Sequence, residues 1–388
     1  MLRLLHTADV HLGARHTDLG EQAAAQRERQ FLAFQRSVDL ALAEHVDLFL
    51  IAGDLFDSNT QPRRSVERVA AELRRLAQAA IRTVIIPGTH DVYDRSSIYR
   101  ANDLAVLAGL PATTDLIVVL TPERPEVVFA AIDAIVYGRV FETKRAPRSP
   151  LAGFDASTDT RATWRIGMIH GALVIPGKVE SDDVVFTTEE IAASGLDYLA
   201  LGHWHSAQSA KAGAVQYAYS GAPEPVAVDQ DRAGKVLLVT LDLAHDVRTV
   251  TVEERVVGKT RFERLELNAA EVGGQPALIE SLRTRADPDL VLDVRLTGVR
   301  PDELDLDISE IELALAPSFL RARVRDLAVP ALSEGNLPPP DTIAGAFIRT
   351  TQARIEQAEA DGETEPAAEL RDVLRLGRLL LSGHEVTL

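Results

Sequence analysis

Strands and helices alternate through the first 86 residues, and this alternation most restricts the possible fold. Residues 2–7, 46–52 and 83–86 are short apolar runs of the kind that form buried strands. Residues 22–44 have the apolar spacing of a helix, and residues 63–79 form a second predicted helix. Strand, helix, strand, helix, strand at this spacing predicts a βαβαβ unit with parallel strands.

From about residue 115 the pattern changes to strands with few helices between them. The predicted strands are 116–120, 127–132, 134–140, 165–170, 197–201, 214–219, 234–242 and 247–254. A second sheet packed on the first gives an α/β sandwich of four layers, in which two central β-sheets are flanked by helices. Residues 143–162 are rich in Arg, Pro, Ser and Thr and are predicted to form a loop.

The chain is too long for one ordinary core, so two or more domains are expected. A break falls near Val257 and Gly258, and a shorter alternation of strands and helices follows it. The predicted division is a main domain over 1–257, a small α/β domain over 258–328, a linker over 329–340 and C-terminal helices over 341–388.

Composition excludes some classes of site and restricts others. There is no cysteine, which excludes a disulfide framework, a thiolate metal site and a cysteine nucleophile. No apolar run is long enough to cross a bilayer and a motif begins almost at residue 1, so we expect a cytoplasmic protein. The net charge of −17, densest in the C-terminal third, argues against a simple nucleic-acid binder. Any DNA would have to meet local basic patches, metals or a partner protein.

Histidine and aspartate side chains follow five of the predicted strands. The segments are Asp9-Val10-His11, Gly53 to Asp57, Gly88 to Asp91, His170-Gly171, and Gly202 to His205. Because the carboxyl ends of strands in an α/β sheet converge on one rim, we expect these side chains to meet there. The glycines allow sharp turns that bring ligands close together.

In this order the segments resemble the motifs of the calcineurin-like metallophosphoesterase superfamily, over about residues 1–255. One such motif is weak evidence, but five in order at strand ends are specific. The resemblance implies phosphoester hydrolysis at two divalent ions, which supply a nucleophile and neutralise phosphate charge. Mixed Asp and His ligands suit manganese, iron or zinc better than magnesium.

The resemblance also implies a role for each residue. The implied ligands are Asp9, His11 and His205 for the first ion, Asp54 as the bridge, and His170, His203 and the residue at position 89 for the second. His90 would face the scissile phosphate and protonate or stabilise the leaving oxygen. Asp57 would orient His90.

Position 89 departs from the family pattern, because Thr89 stands where the family has Asn. A hydroxyl is a shorter and poorer ligand than an amide carbonyl, so the second ion would bind weakly or through a water. Two interpretations follow: tolerated variation in an active enzyme, which we favour, and attenuated catalysis.

Four longer segments resemble SbcD-type nucleases of bacterial double-strand-break repair complexes. They are residues 6–13, 52–58, 198–205 and 219–223. This resemblance implies an exonuclease and endonuclease that uses Mn²⁺ and acts on DNA with an ABC-type coiled-coil ATPase of the SbcC kind. It also implies a homodimer, a DNA-capping role for residues 258–328 and an ATPase-docking role for the C-terminal helices.

Four basic residues in or beside the loop at 143–162 are candidate contacts for DNA phosphates: Arg139, Lys144, Arg145 and Arg148. Trp204 lies between two candidate ligands and is either a pocket wall or a packed core residue.

Two other functions stay open. One is a phosphodiesterase of small molecules such as cyclic nucleotides, against which the long C-terminal part argues. The other is a DNA-end-binding scaffold with impaired catalysis, which Thr89 suggests.

Overall fold

The chain folds into two compact units, Met1–Phe262 and Glu263–Leu388. The computed structural model describes residues 1–146, 148–174, 184–225, 230, 232–301, 304–330, 338–362 and 364–381. The predicted linker at 329–340 falls largely outside this range, because residues 331–337 are not described.

The first unit contains most of the strands. They are β1 (Leu2–Thr7), β2 (Leu48–Ala52), β3 (Arg82–Ile86), β4 (Ile117–Val119), β5 (Glu126–Phe129), β6 (Ala134–Arg139), β7 (Trp164–His170), β8 (Ala172–Leu173), β9 (Val185–Phe186), β10 (Tyr198–Gly202), β11 (Gln208–Ala212), β12 (Val215–Tyr219), β13 (Lys235–Ala244) and β14 (Val247–Val256). Its helices are α1 (Ala23–Ala43), α2 (Arg63–Gln78), α3 (Ile98–Ala101), α4 (Leu104–Leu107) and α5 (Thr188–Ala193). Short 3-10 turns cover Thr17–Gln22 and Ala130–Ile132.

These strands form two six-stranded sheets. The first has the order β14-β13-β1-β2-β3-β4, and the second has the order β11-β12-β10-β7-β6-β5. Strands β1, β2 and β3 pair in parallel, as the βαβαβ pattern predicts. Strands β6, β7, β10 and β12 are also parallel, so each sheet has its own rim of carboxyl ends.

Apolar packing fixes the order of the layers. Helices α1 and α2 bury Phe34 and Leu73 against the outer face of the first sheet. Between the sheets, side chains such as Leu50 and Met168 form a second cluster, and Ile191 of α5 joins a third cluster on the outer face of the second sheet. Each such fully buried side chain contributes about 1.5–3 kcal/mol. The predicted four-layer sandwich is therefore confirmed.

Two local features differ from the expectation. The strand predicted at 127–132 ends at Phe129, because Ala130–Ile132 form a 3-10 turn that closes at Asp133 with a left-handed φ of 50°. The edge strand β11 (sequence QSAKA) was not predicted, because it is mostly exposed and lacks apolar alternation. Its pairing with β12 defines it instead.

The second unit has a small α/β part and two long helices. Its elements are β15 (Arg261–Asn268), α6 (Gln275–Arg283), β16 (Asp287–Thr297), β17 (Val299–Arg300), α7 (Ile308–Leu315), β18 (Phe319–Asp326), β19 (Val329–Pro330), α8 (Ile343–Ala360) and α9 (Thr364–Leu381). The sheet β15-β16-β18 covers α6 and α7 through Leu292, Val294 and Ile311. Helices α8 and α9 pack through Ile348, Ile355 and Leu374. Helix α8 ends at Ala360 and α9 begins at Thr364, so the two predicted C-terminal helices are separated by a short break.

Within the described ranges, none of the helices combines the length and the apolarity that a membrane span requires.

Candidate metal centre

Five strand ends from the two sheets place the predicted side chains together. Strands β1, β2 and β3 of the first sheet lead into Asp9, Asp54 and His90. Strand β7 ends at His170 and β10 leads into His203, in the second sheet. The backbone of one loop binds the next, since Asp9 N donates to Gly53 O at 3.1 Å and His11 N donates to Asp54 O at 2.9 Å.

The first group of side chains contains Asp9, His11 and His205. One ligand atom from each lies within 4.8 Å of the others. The Nε2 atoms of His11 and His205 are 3.1 Å apart, so both rings direct the same nitrogen to one point. Three such donors from two loops suit one divalent cation.

The second group contains Asp9, Asp54 and His170, also within 4.8 Å of one another. The Nδ1 of His170 donates to the Ala52 carbonyl at 3.0 Å, which leaves Nε2 as the nitrogen without a proton in the neutral ring. That Nε2 is buried and 3.1 Å from Asp54 Oδ2, yet among the described residues it finds no hydrogen-bond partner of good geometry. A buried nitrogen left this way fits a metal ligand.

His203 contacts two members of this second group, although its own ring nitrogens are not among the ligand atoms that meet there. Its N–H donates to both carboxylate oxygens of Asp9, at 3.0 and 3.1 Å. Its ring centroid lies 5.4 Å from that of His170, in an edge-to-face arrangement.

Thr89 lies beside the predicted bridging carboxylate. Its hydroxyl is 3.4 Å from Asp54 Oδ2 and donates to it, and the N–H of His90 donates to Asp54 Oδ1 at 2.7 Å. The Thr89 hydroxyl thus supports Asp54. The amide carbonyl that the family pattern has at this position is missing.

His90 is at the open side of the centre, with 47% of its side chain exposed. Its Nδ1 lies 3.1 Å from the Asp57 carbonyl oxygen and 3.6 Å from Asp57 Oδ1. The same Oδ1 is 3.4 Å from His11 Nδ1. Asp57 therefore contacts His90 mainly through its backbone, and its carboxylate lies slightly nearer to His11.

Charges in the centre shift several pKa values. Burial opposes the charged form of His170, but the negative charges of Asp54 and Asp9 outweigh it and raise its pKa to about 10. Burial also opposes the charge of Asp54, but His170 and His11 hold the pKa of that carboxyl well below its usual value. Burial lowers the pKa of His205. The centre therefore favours positive charge beside Asp54, which divalent cations would supply.

Close packing and unusual backbone conformations hold the ligands in place. A Cβ on Gly53 would lie 2.3 Å from His170 Nδ1, and one on Gly88 would lie 2.2 Å from Asp54 Oδ1. Left-handed φ angles occur at four candidate ligands: 52° at Asp9, 49° at His11, 50° at Asp54 and 103° at His203. Such conformations are costly for residues with a β-carbon and are concentrated at functional sites.

Comparison with known proteins agrees with this geometry. The profile of the family described as calcineurin-like phosphoesterase matches residues 2–207. The chain belongs to this family. The predicted membership is therefore confirmed, and the family's need for divalent metals agrees with the clusters of Asp and His ligands.

Several curated proteins of the calcineurin-like phosphoesterase kind are similar to this chain. The uncharacterized metallophosphoesterase YhaO of Bacillus subtilis is 30% identical over 215 residues, which are 53% of this chain and 49% of YhaO. The DNA double-strand break repair protein Mre11 of Aeropyrum pernix is 30% identical over 70% of this chain and 65% of its own length. The Mre11 protein of Halobacterium salinarum is 24% identical over 95% of this chain and 97% of its own length. The chain thus spans about half the length of YhaO and about two thirds of the length of the Aeropyrum pernix protein.

The predicted DNA-contact residues of this phosphoesterase lie outside the metal clusters. Arg139 is half-buried; its Nε donates to the Pro150 carbonyl at 2.7 Å, and its guanidinium lies 5.1 Å from the Phe154 ring centroid. Burial and the nearby Arg148 lower its pKa. Lys144, Arg145 and Arg148 are exposed. Arg139 is therefore engaged in holding the loop, and the other three are accessible.

The sequence did not reveal an arginine-rich face on the sheet of the second unit. Asp293 is buried, and arginine nitrogens of Arg264, Arg295 and Arg325 lie 3.3–3.4 Å from its carboxylate. Arg321 and Arg323 lie on the same face, because they alternate with the core residues Ala322 and Val324. This face is strongly basic although the C-terminal third of the chain is acidic.

Three residues near the centre had no predicted role. The buried Asp91 accepts hydrogen bonds from Gly88 N at 2.7 Å and Phe56 N at 3.1 Å. The Tyr99 hydroxyl also contacts Asp91, and the Gln230 amide lies 2.5 Å from His205 Nδ1. Gly88-Thr89-His90-Asp91 was a recognisable segment, but no spacing rule points to Tyr99 or Gln230.

Proposed function

We propose that this chain is a metal-dependent nuclease that hydrolyses DNA phosphodiesters, as an exonuclease and an endonuclease, in double-strand-break repair. The observation that carries the proposal is the meeting of Asp9, Asp54, His11, His170 and His205 at one rim, beside the exposed ring of His90. The names of the Mre11 relatives support DNA as the substrate.

The residues of the centre would hold two divalent ions. Asp9, His11 and His205 suit the first ion, Asp54 suits a bridging position, and His170 with His203 suits the second. At these residues, divalent ions would supply positive charge against the phosphate and would lower the pKa of a water nucleophile toward neutrality. The mixed nitrogen and oxygen donors suit manganese, iron or zinc. Among these, the resemblance to SbcD-type nucleases favours Mn²⁺.

His90 would act on the leaving group. Its exposed ring reaches the open side of the centre, and contact with the Asp57 carbonyl fixes the Nδ1 side of the ring. The Nε2 side would then face the scissile phosphate and donate a proton to the departing oxygen. Asp57 would be a positioning residue, because its carbonyl contacts His90 and its carboxylate lies near His11.

Two basic surfaces support a polyanionic substrate. The accessible side chains of Lys144, Arg145 and Arg148 could bind backbone phosphates near the first unit's rim. The arginine-rich face around Asp293 offers guanidinium groups to a second stretch of backbone.

We further propose an ABC-type coiled-coil ATPase as partner and a homodimer as the assembled form, with a cytoplasmic location. Helix α9 supports the first of these, because Val373 and Leu380 leave 49% and 58% of their surface exposed. Apolar side chains exposed on one helix favour burial against another protein.

Thr89 supports a second candidate, a DNA-end-binding scaffold with attenuated catalysis. The Thr89 hydroxyl donates to Asp54. It stands where the family pattern has Asn, whose amide carbonyl is a stronger metal ligand. A phosphodiesterase of small molecules such as cyclic nucleotides is the third candidate, and the same assay distinguishes it.

The test is cleavage of linear double-stranded and hairpin DNA with Mn²⁺, beside a cyclic nucleotide. We would compare the wild type with His90→Asn, Thr89→Asn and, as the matched control, the exposed His245→Asn. The nuclease proposal expects DNA cleavage by the wild type and His245→Asn and a loss of roughly 100-fold or more in His90→Asn. Cleavage by Thr89→Asn alone would favour the scaffold, and hydrolysis of the cyclic nucleotide alone would overturn the nuclease proposal.

A further inference from the structure

A cavity of about 600 Å³ lies beside the metal centre. Two candidate ligands, His203 and His205, form part of its wall. The rest of the wall includes Trp204, Ser206, Gln208 and Arg232. This volume is within the range of small-molecule sites and is large enough for a nucleoside.

Trp204 forms a rigid platform in this wall. Its ring stacks on Tyr219 with centroids 4.7 Å apart and an interplanar angle of 18°. Tyr219 is fully buried, and its hydroxyl accepts from Leu173 N and donates to Gly171 O, both at 2.9 Å. An indole held in this way gives up little conformational freedom when a flat ligand stacks on it.

The polar side chains of the cavity suit the edge of a nucleobase. Ser206 and Gln208 can each donate and accept a hydrogen bond. Arg232 pairs with Glu254 at 2.6 Å, so its guanidinium is fixed at the surface. A flat aromatic wall with adaptable polar groups beside it is the arrangement that binds unstacked bases.

We propose that this cavity is a nucleoside subsite, in which a base stacks on Trp204 while its phosphate lies against the metal centre. The inference deepens the proposed function and rests on it, because it takes the substrate to be a nucleotide phosphodiester. It gives Trp204 a role in substrate preference in addition to its packing on Tyr219.

Tryptophan fluorescence tests binding without catalysis. The chain has two tryptophans, so Trp164→Phe leaves Trp204 as the sole tryptophan, whose emission is selected by excitation at the red edge of the absorption band. We would titrate this variant with thymidine 5′-monophosphate in the presence of Zn²⁺, a closed-shell ion. Deoxyribose 5-phosphate, which lacks the base, is the matched ligand. The proposal expects saturable quenching by the nucleotide that the sugar phosphate does not produce. Equal responses to both ligands would overturn it.

Steady-state kinetics tests the same subsite during turnover. The substrates are the p-nitrophenyl ester of thymidine 5′-monophosphate and methyl p-nitrophenyl phosphate, which share a leaving group, and only the first carries a nucleoside. The wild type should have the higher kcat/KM with the nucleoside ester. The ratio of the two kcat/KM values should fall about 10-fold in Trp204→Leu, recover in Trp204→Phe and stay unchanged in Trp164→Phe.

The two proposals fail in different ways. If Trp204→Leu lowers both kcat/KM values equally, Trp204 has only a structural role and the subsite proposal is wrong, although phosphodiester hydrolysis stands. If the wild type hydrolyses neither ester, the proposed enzymatic function is contradicted, and the fluorescence titration alone decides whether the cavity binds a nucleoside.

Discussion

The Tyr99 hydroxyl donates a hydrogen bond of 2.6 Å to Oδ2 of Asp91, the residue that connects two loops of the candidate metal centre. Asp91 also accepts from Gly88 N in the loop that carries His90 and from Phe56 N in the loop that carries Asp54. Burial, together with the charge of Asp54, raises the pKa of Asp91. Each of its three hydrogen bonds therefore matters for keeping both loops in register.

Replacing Tyr99 with Phe should lower kcat while leaving KM nearly unchanged. The value of kcat should fall roughly 10-fold, because residues that hydrogen-bond to the loops of a metal centre keep the metal ligands oriented. The free energy of unfolding should fall by about 1–2 kcal/mol, since a hydrogen bond to a carboxylate is lost. Hydrolysis of bis(p-nitrophenyl) phosphate and chemical denaturation would measure these effects. Tyr93→Phe is the matched control, because the Tyr93 ring packs on Arg100. An unchanged kcat in Tyr99→Phe would refute a positioning role.

Gly53→Ala should impair metal binding, whereas Gly153→Ala should not. Both glycines have left-handed backbones, with φ of 91° and 70°. An added Cβ would lie 2.3 Å from His170 Nδ1 at Gly53, but would have nothing within 4 Å at Gly153. Each substitution therefore costs about 1 kcal/mol in backbone strain. Only Gly53→Ala adds steric overlap with His170, which costs roughly 1–3 kcal/mol more. Denaturation and Mn²⁺ titration of both variants would test this; equal losses would contradict it.

The buried His6 should make the protein less stable in acid. Burial lowers the pKa of His6 from 6.5 to about 3, and its Nδ1 lies 2.9 Å from the Tyr198 hydroxyl. Between these pKa values the unfolded chain binds one more proton than the folded chain. The contribution of neutral His6 is thus present above pH 6.5 and is lost as the pH falls toward 3, by up to about 1.4 kcal/mol per pH unit.

Denaturation of His6→Asn at pH 7, 6 and 5 would measure this contribution. The unfolding free energy of the variant should depend less steeply on pH than that of the wild type. The exposed His245→Asn is the control and should keep the wild-type slope. Parallel curves for His6→Asn and the wild type would show that His6 does not titrate in this way.

Thr89→Asn should strengthen binding of the second metal ion. An amide carbonyl reaches further than the Thr89 hydroxyl, which now donates to Asp54. We expect the weaker of two Mn²⁺ dissociation constants to fall by about 10-fold in a calorimetric titration. Thr89→Val, which has the same shape but no oxygen, is the control and should bind the ion no more tightly than the wild type. If Asn gives no tighter binding, position 89 is not a ligand position in this chain.

The sequence predicted which loops would meet at the candidate centre, because their signals are local. A glycine beside an Asp or His at a strand end is visible in a few letters, and parallel strands then bring such loops to one rim. The layers of the sandwich followed from apolar runs for the same reason. Asp57 shows the limit of this reasoning: the motif placed it near His90, but the rotamer brings its carboxylate slightly nearer to His11.

Contacts that depend on tertiary packing had no such signal. Tyr99 reaches Asp91 from the short helix α3, and a tyrosine eight positions after an aspartate fits no pattern. The alternating arginines of β18 were visible as letters, but their convergence on Asp293 of β16 depends on the parallel register of two strands. Trp204 was open to two interpretations, and the structure gives it both packing and a cavity wall.

The left-handed backbones of Asp9, His11, Asp54 and His203 set a limit on how this protein can evolve. At about 1 kcal/mol each, the strain takes up several kcal/mol of a folding stability that is typically only 5–15 kcal/mol. Glycine at these positions would relax the backbone but would remove a candidate ligand, so selection for robustness and selection for the proposed metal binding would oppose each other there. Destabilising substitutions elsewhere in the first unit are consequently less tolerated than they would be in an inert protein of the same fold.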